Sequence, residues 1–154
     1  MRRIGLVLPA YGQSVGGTVE SPLVVKEQAI RELYEARARR DWDAVRALLA
    51  ENVVWHEPGE EDYSGDYQGR DQVVELLQQL LAVTEGTFQL VPEAFVTSVD
   101  HSAVLVRWWA ERQGRRAEGN EIAVYRFQGG AIAEVWFHPD GYEQEALSAV
   151  FGYD

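Results

Sequence analysis

The spacing of apolar positions changes once along the chain, dividing it into a helical first half and a strand-rich second half. Leu23, Ile30, Leu33, Tyr34 and Ala38 recur at helical period and predict a helix ending near Arg40. Ser21 supplies its hydroxyl N-cap, and Pro22 suits the first helical position, where a missing N–H costs nothing. Asp41 can cap a second, shorter helix through Trp42, Val45, Leu48 and Leu49. Val53-Val54-Trp55 reads as a short strand that breaks at Pro58-Gly59, followed by a polar loop over 60–69. Gly69-Arg70-Asp71 then leads into a third helix with Val73, Val74, Leu77, Leu80 and Leu81 on its apolar side.

Beyond Gly86 the period falls to about two, which predicts four strands over 87–99, 101–112, 118–128 and 131–138. Asp100, Gly114 and Gly129-Gly130 separate them, the glycine pair being a hairpin signal. Pro92 belongs at a bulge or on a sheet edge, because it has no N–H for a ladder. Asp140-Gly141 begins a closing helix carrying Tyr142, Ala146, Leu147 and Val150. Three helices cannot cover both faces of so long a sheet. The expected fold is therefore α+β, a strongly curved, mainly antiparallel sheet wrapped around the first helix. Its convex face is left for a second copy of the chain, making a homodimer the expected assembly.

Composition narrows the functional classes. At 154 residues the chain is one domain, read as a loosely held arm over 1–20 and a folded unit over 21–154. A formal charge of −11, with scattered Lys and Arg, argues against nucleic acid as a partner. The absence of cysteine excludes disulfides and thiolate metal sites and fits a cytoplasmic location. No apolar run approaches the ~18 residues that span a bilayer, so no membrane partner is expected. Three histidines without an i, i+4 pair give no metal motif, and no phosphate-binding glycine loop or nucleophile elbow occurs.

Five short motifs carry a family resemblance. They are Tyr34-Glu35-Ala36 with Arg40-Asp41-Trp42-Asp43, Trp55-His56-Glu57-Pro58-Gly59, Gly65-Asp66-Tyr67-Gln68-Gly69-Arg70, Gly86-Thr87-Phe88, and the run from Gly130 to Trp136. In this order they resemble the nuclear transport factor 2-like superfamily, within it the SnoaL-like and ketosteroid isomerase-like branch, over residues ~25–150. The resemblance implies a cone-shaped, cystatin-like barrel, usually dimeric, with a small-molecule pocket at its open end.

The resemblance also implies site residues. Glu57 stands where ketosteroid isomerases hold the proton-shuttling carboxylate, and burial would raise its pKa towards neutrality. Their second acid corresponds to Asn120, still a hydrogen-bond donor, and their catalytic tyrosine falls nearest Leu33, beside Tyr34. SnoaL-like cyclases keep an acid/base aspartate near Asp140, which His138 could assist. Strand alternation sends His56 and Glu57 to opposite faces, so one of the two is expected in the pocket. Glu134, Trp136 and His138 share one face with Ile132, and in this family that face lines the pocket. Trp55 and Trp108 are expected as aromatic walls, with Trp109 on the convex face. The expected activity is cofactor-free acid/base chemistry of the isomerase, cyclase, dehydratase or epoxide-hydrolase type, on a small apolar carbonyl or epoxide. The alternative is a non-catalytic binding or dimerisation module.

Overall fold

The computed structural model describes residues 21–59, 61–139, 148 and 150–152. The expected arm over 1–20, Asp140 and most of the expected closing helix lie outside the described residues. Three helices come in the predicted order: α1 (Pro22–Arg39), α2 (Trp42–Leu48) and α3 (Arg70–Val83). The Ser21 side chain accepts from the Leu23 N–H, and Asp41 accepts from Ala44, so both caps form. Arg40 takes a left-handed conformation between α1 and α2 (φ 60°) and turns the chain sharply.

Six strands form one sheet, not the five expected. They are β1 (Leu49–Glu57), β2 (Gly65–Gln68), β3 (Gln89–Thr97), β4 (His101–Arg112), β5 (Arg115–Gln128) and β6 (Ala131–Pro139). The order across the sheet is β2-β1-β6-β5-β4-β3, and only the β1–β6 pair is parallel. Strand β2 hid inside the predicted polar loop because Gly-Asp-Tyr-Gln has no apolar alternation, as suits a short edge strand. Leu49, expected in α2, opens β1 instead and pairs with Ile132. Pro92 meets both of its expectations, lying on edge strand β3 beside a register shift. Gly129 and Gly130 both have positive φ (57° and 81°), as the tight β5–β6 turn requires.

One face of the sheet is covered by the helices, and the core lies between them. Ile30, Leu33 and Tyr34 of α1 and Val73, Leu76, Leu77 and Leu80 of α3 join Val53, Trp55, Val104, Val106, Trp108, Ala123, Tyr125 and Val135 in one buried cluster. The opposite face is more open: Val91, Leu105 and Ile122 are exposed there, while Trp109 lies beside Arg107. Among the described residues no helix is long and apolar enough to cross a membrane.

Candidate functional site

The covered face holds a compact polar group inside the apolar core. Trp55 and Glu57 sit two residues apart on β1 and therefore point the same way, towards the helices. The Trp55 indole N–H donates to Glu57 Oε2 at 2.9 Å, fixing the carboxylate against a wall that includes Phe137. Burial pushes the Glu57 carboxyl from its ordinary 4.5 up to about 7, although the Trp55 bond and the Arg37 charge both pull it down. Desolvation wins because the surrounding walls are largely aromatic.

Beside the carboxylate, the Tyr34 and Tyr125 hydroxyls lie 2.6 Å apart, their rings meeting edge to face. Burial raises the pKa of both, so both stay protonated. One hydroxyl donates within the pair, leaving the other proton for a further acceptor. Arg37, one turn after Tyr34 on α1, places its guanidinium carbon 5.9 Å from the Tyr34 ring centre and 5.8 Å from that of Trp55. Glu121 of β5 shares a small cavity with Glu57, Arg37 and Trp108.

That cavity has a volume of only about 20 Å³, room for about one water molecule. Phe151 borders this cavity: it is 7% exposed and packs against Phe88 and Trp108 at 5.1 and 6.2 Å. A larger cleft of about 400 Å³ lies alongside, and Arg37, Phe88 and Leu90 border both spaces.

The structure separates the residues singled out from sequence. Glu57, Trp55, Tyr34 and Trp108 come together on the covered face, all but Glu57 nearly fully buried. His56 faces the other way, with Nδ1 2.6 Å from Asp66 and Nε2 3.0 Å from Glu134. Glu134, Trp136 and His138 also lie on the open face, contrary to the expectation that they line the pocket. The cause is a bulge: Arg126 pairs with Glu134 but Phe127 with Ile132, so Ala133 is an extra residue. It lets Ile132 and Val135 both point inward and turns Glu134, Trp136 and His138 outward. Trp136 stacks on the rings of His56 and His101 (5.7 and 6.4 Å), and His138 is exposed.

Asn120, expected inside as a donor, is exposed on the open face, and its neighbour Glu121 takes the inward place. One residue of slip exchanges the faces of a strand. Asp140 lies outside the described residues. Sequence reasoning missed Arg37, Tyr125 and Glu121. Arg37 was detectable, since it follows Ile30 by seven positions and Leu33 by four and so interrupts the apolar stripe of α1 with a charge. Alternation with buried Ala123 and Phe127 marks Tyr125 in the same way.

A SnoaL-like domain matches residues 30–135, well over half of the chain. The chain belongs to the SnoaL-like family. Uncharacterized proteins of Mycobacterium tuberculosis and Mycobacterium bovis are 27% identical to it over 107 residues, 69% of this chain and 82% of theirs. Bal32a, from a soil-derived mobile gene cassette, is 26% identical with a TM-score of 0.79, over 85% of this chain and 99% of its own. A nuclear transport factor 2-like protein of unknown function from Burkholderia pseudomallei is 26% identical with a TM-score of 0.70, over 84% of this chain and 98% of its own. Members of this SnoaL-like, nuclear transport factor 2-like fold are often isomerases or cyclases.

Proposed function

We propose that this SnoaL-like protein is an enzyme that moves a proton on a small, largely apolar molecule bearing a carbonyl or epoxide, without a cofactor. The observation that carries the reading is Glu57, a carboxyl with a pKa near 7 set in an aromatic wall. A general base works best when its pKa lies near the working pH. At neutral pH about half of the Glu57 side chains are ionised, able to take a proton from a carbon next to a carbonyl. The same carboxyl, once protonated, returns the proton at a second position and completes an isomerisation or prepares a ring closure. The spare hydroxyl proton of the Tyr34–Tyr125 pair serves the developing oxyanion, Tyr34 being the member that borders the cleft.

A second reading, a non-catalytic binding module, is favoured by one observation. The space beside Glu57 holds about one water, so a substrate has to displace Phe151 or reach the carboxylate past Arg37 and Phe88.

One experiment separates the two. A panel of apolar ketones, lactones and enones is incubated with the protein in deuterated water, and deuterium uptake next to the carbonyl is followed by proton NMR. The enzyme reading expects uptake with at least one compound, slowed about 10²–10⁴-fold by Glu57→Gln in a protein that still folds. Uptake unaffected by that substitution removes Glu57 from the mechanism, and no uptake with any compound supports the binding module.

A further inference from the structure

We infer that the 400 Å³ cleft beside Glu57 takes an organic carboxylate on an apolar body, with Arg37 as its anchor and Arg40 as a second cation at the rim. This deepens the proton-transfer reading by naming the charge of the substrate, and it rests on that reading for where the bound molecule then reacts.

The cleft is a local exception in a strongly acidic protein. The chain carries −11 overall, yet the cleft is lined by two arginines and by no aspartate or glutamate. Glu85, which lies beyond Arg40, is turned away: its carboxylate accepts the Gln113 backbone N–H at 2.7 Å across the β4–β5 turn. An anion approaching this opening meets two arginines with no carboxylate among the lining residues.

Arg37 gives the stronger argument. It is half-buried, with its guanidinium near the Tyr34 and Trp55 rings and its charge felt by Glu57, and among the described residues that guanidinium makes no hydrogen bond or ion pair. A guanidinium carries five N–H donors in a planar fork, and leaving them without acceptors away from bulk water is unfavourable. A carboxylate matches that fork with two parallel hydrogen bonds. Arg40 donates a single long bond, 3.4 Å to the Gly86 carbonyl, and keeps donors to spare.

The remaining walls define the rest of the ligand. Trp42, Leu77, Leu81 and Leu90 line the cleft and offer apolar surface that a hydrated inorganic anion would leave wet. A molecule with both an apolar body and one carboxylate uses the whole cleft. Because Arg37 also borders the Glu57 cavity, a carboxylate held there places its neighbouring atoms at the junction of the two spaces.

The test compares 2-naphthoate with 2-naphthamide, an acid and its neutral analogue of the same shape, by calorimetry at pH 7.5 and low salt. Proteins compared are wild type, Arg37→Met, Arg37→Lys, Arg40→Asn and Glu57→Gln, each checked by circular dichroism melting. Wild type is expected to bind the acid at least about tenfold more tightly than the amide, an advantage that salt weakens. Arg37→Met should abolish the difference, Arg37→Lys should keep part of it because a point charge remains without the fork, and Arg40→Asn should reduce it. The Arg37 Nε–H resonance should shift on adding the acid and not the amide. Equal binding of the two probes, binding of neither, or an acid preference that survives Arg37→Met would each overturn the assignment. Glu57→Gln removes a negative charge beside Arg37 and should therefore keep or increase the preference. A failure of anion binding with deuterium uptake still dependent on Glu57 therefore sinks only the substrate class.

Discussion

Glu57 and His56 are adjacent on β1, and the pKa of each is raised above its ordinary value, but for opposite physical reasons. Glu57 points into the core, where desolvation penalises its charge and so favours the neutral acid. His56 points to the open face between Asp66 and Glu134, and those carboxylates favour its charged form. A neutral imidazole has only one N–H, and with carboxylates at both ring nitrogens only the imidazolium satisfies the pair. Glu134 is bound on its other oxygen by Arg126 at 3.4 Å, which completes a row of alternating charge. The comparison shows that a raised pKa does not identify a reactive group by itself. The Glu57 carboxylate is held by the Trp55 hydrogen bond in surroundings that disfavour its charge, whereas the His56 charge is matched by carboxylates at both ring nitrogens.

The sharpest way to break this contrast is the turnover experiment above. The larger effect, a loss of about 10²–10⁴ in proton exchange, should follow Glu57→Gln, while the same measurement on His56→Gln should change little.

Stability gives the next contrast, and the two substitutions should act in opposite directions. Folded Glu57 binds its proton more tightly than the unfolded chain does, so wild type loses stability as pH rises from about 4.5 to about 7. Glu57→Gln removes that loss. Urea unfolding should show the variant more stable by about 2–3 kcal/mol at pH 8 and close to wild type at pH 4. A variant less stable than wild type at pH 8 would mean that the ionised carboxylate is well solvated or paired.

His56 gives the smaller effect. Its folded pKa lies above 6.5, so its ion pairs contribute fully below 6.5 and fade as pH rises through the folded value. His56→Gln should cost about 1 kcal/mol at pH 6 and nothing measurable at pH 9, because the partners are partly exposed. A cost that is the same at both pH values would assign His56 to packing against Trp136 in place of charge.

The difference between these two residues also bears on how far the sequence could be read. Caps and turns were legible because each rests on local chemistry: Ser21 and Asp41 donate nothing to the core but satisfy helix N–H groups, and Gly129-Gly130 supplies two positive φ angles. The alternation in β4 correctly put Trp108 inside and Trp109 outside, since that strand pairs with β5 without a bulge. Where a bulge intervenes, counting by two fails, and Ala133 in β6 reversed the faces of Glu134, Trp136 and His138. Nothing local marks that extra residue, because it is set by the pairing of β6 with β5. Strand β2 was invisible for a related reason, its stability coming from hydrogen bonds to β1 more than from its own side chains. The Tyr34–Tyr125 pair spans 91 positions and exists only once the sheet brings α1 and β5 together. Glu57 could be picked from the resemblance and Trp55 follows from strand alternation, but the rest of its environment depends on Phe137 and Phe151, which no spacing connects to it.

The central claim is that Glu57 changes charge near neutral pH within the folded protein. Carbon-13 NMR of protein labelled at the glutamate carboxyl carbon tests it directly, with Glu57→Gln identifying the resonance. One glutamate carboxyl should titrate with a midpoint near 7 and vanish from the variant spectrum. A Glu57 resonance that titrates at its ordinary 4.5 would contradict the account, and with it the assignment of Glu57 as the proton carrier.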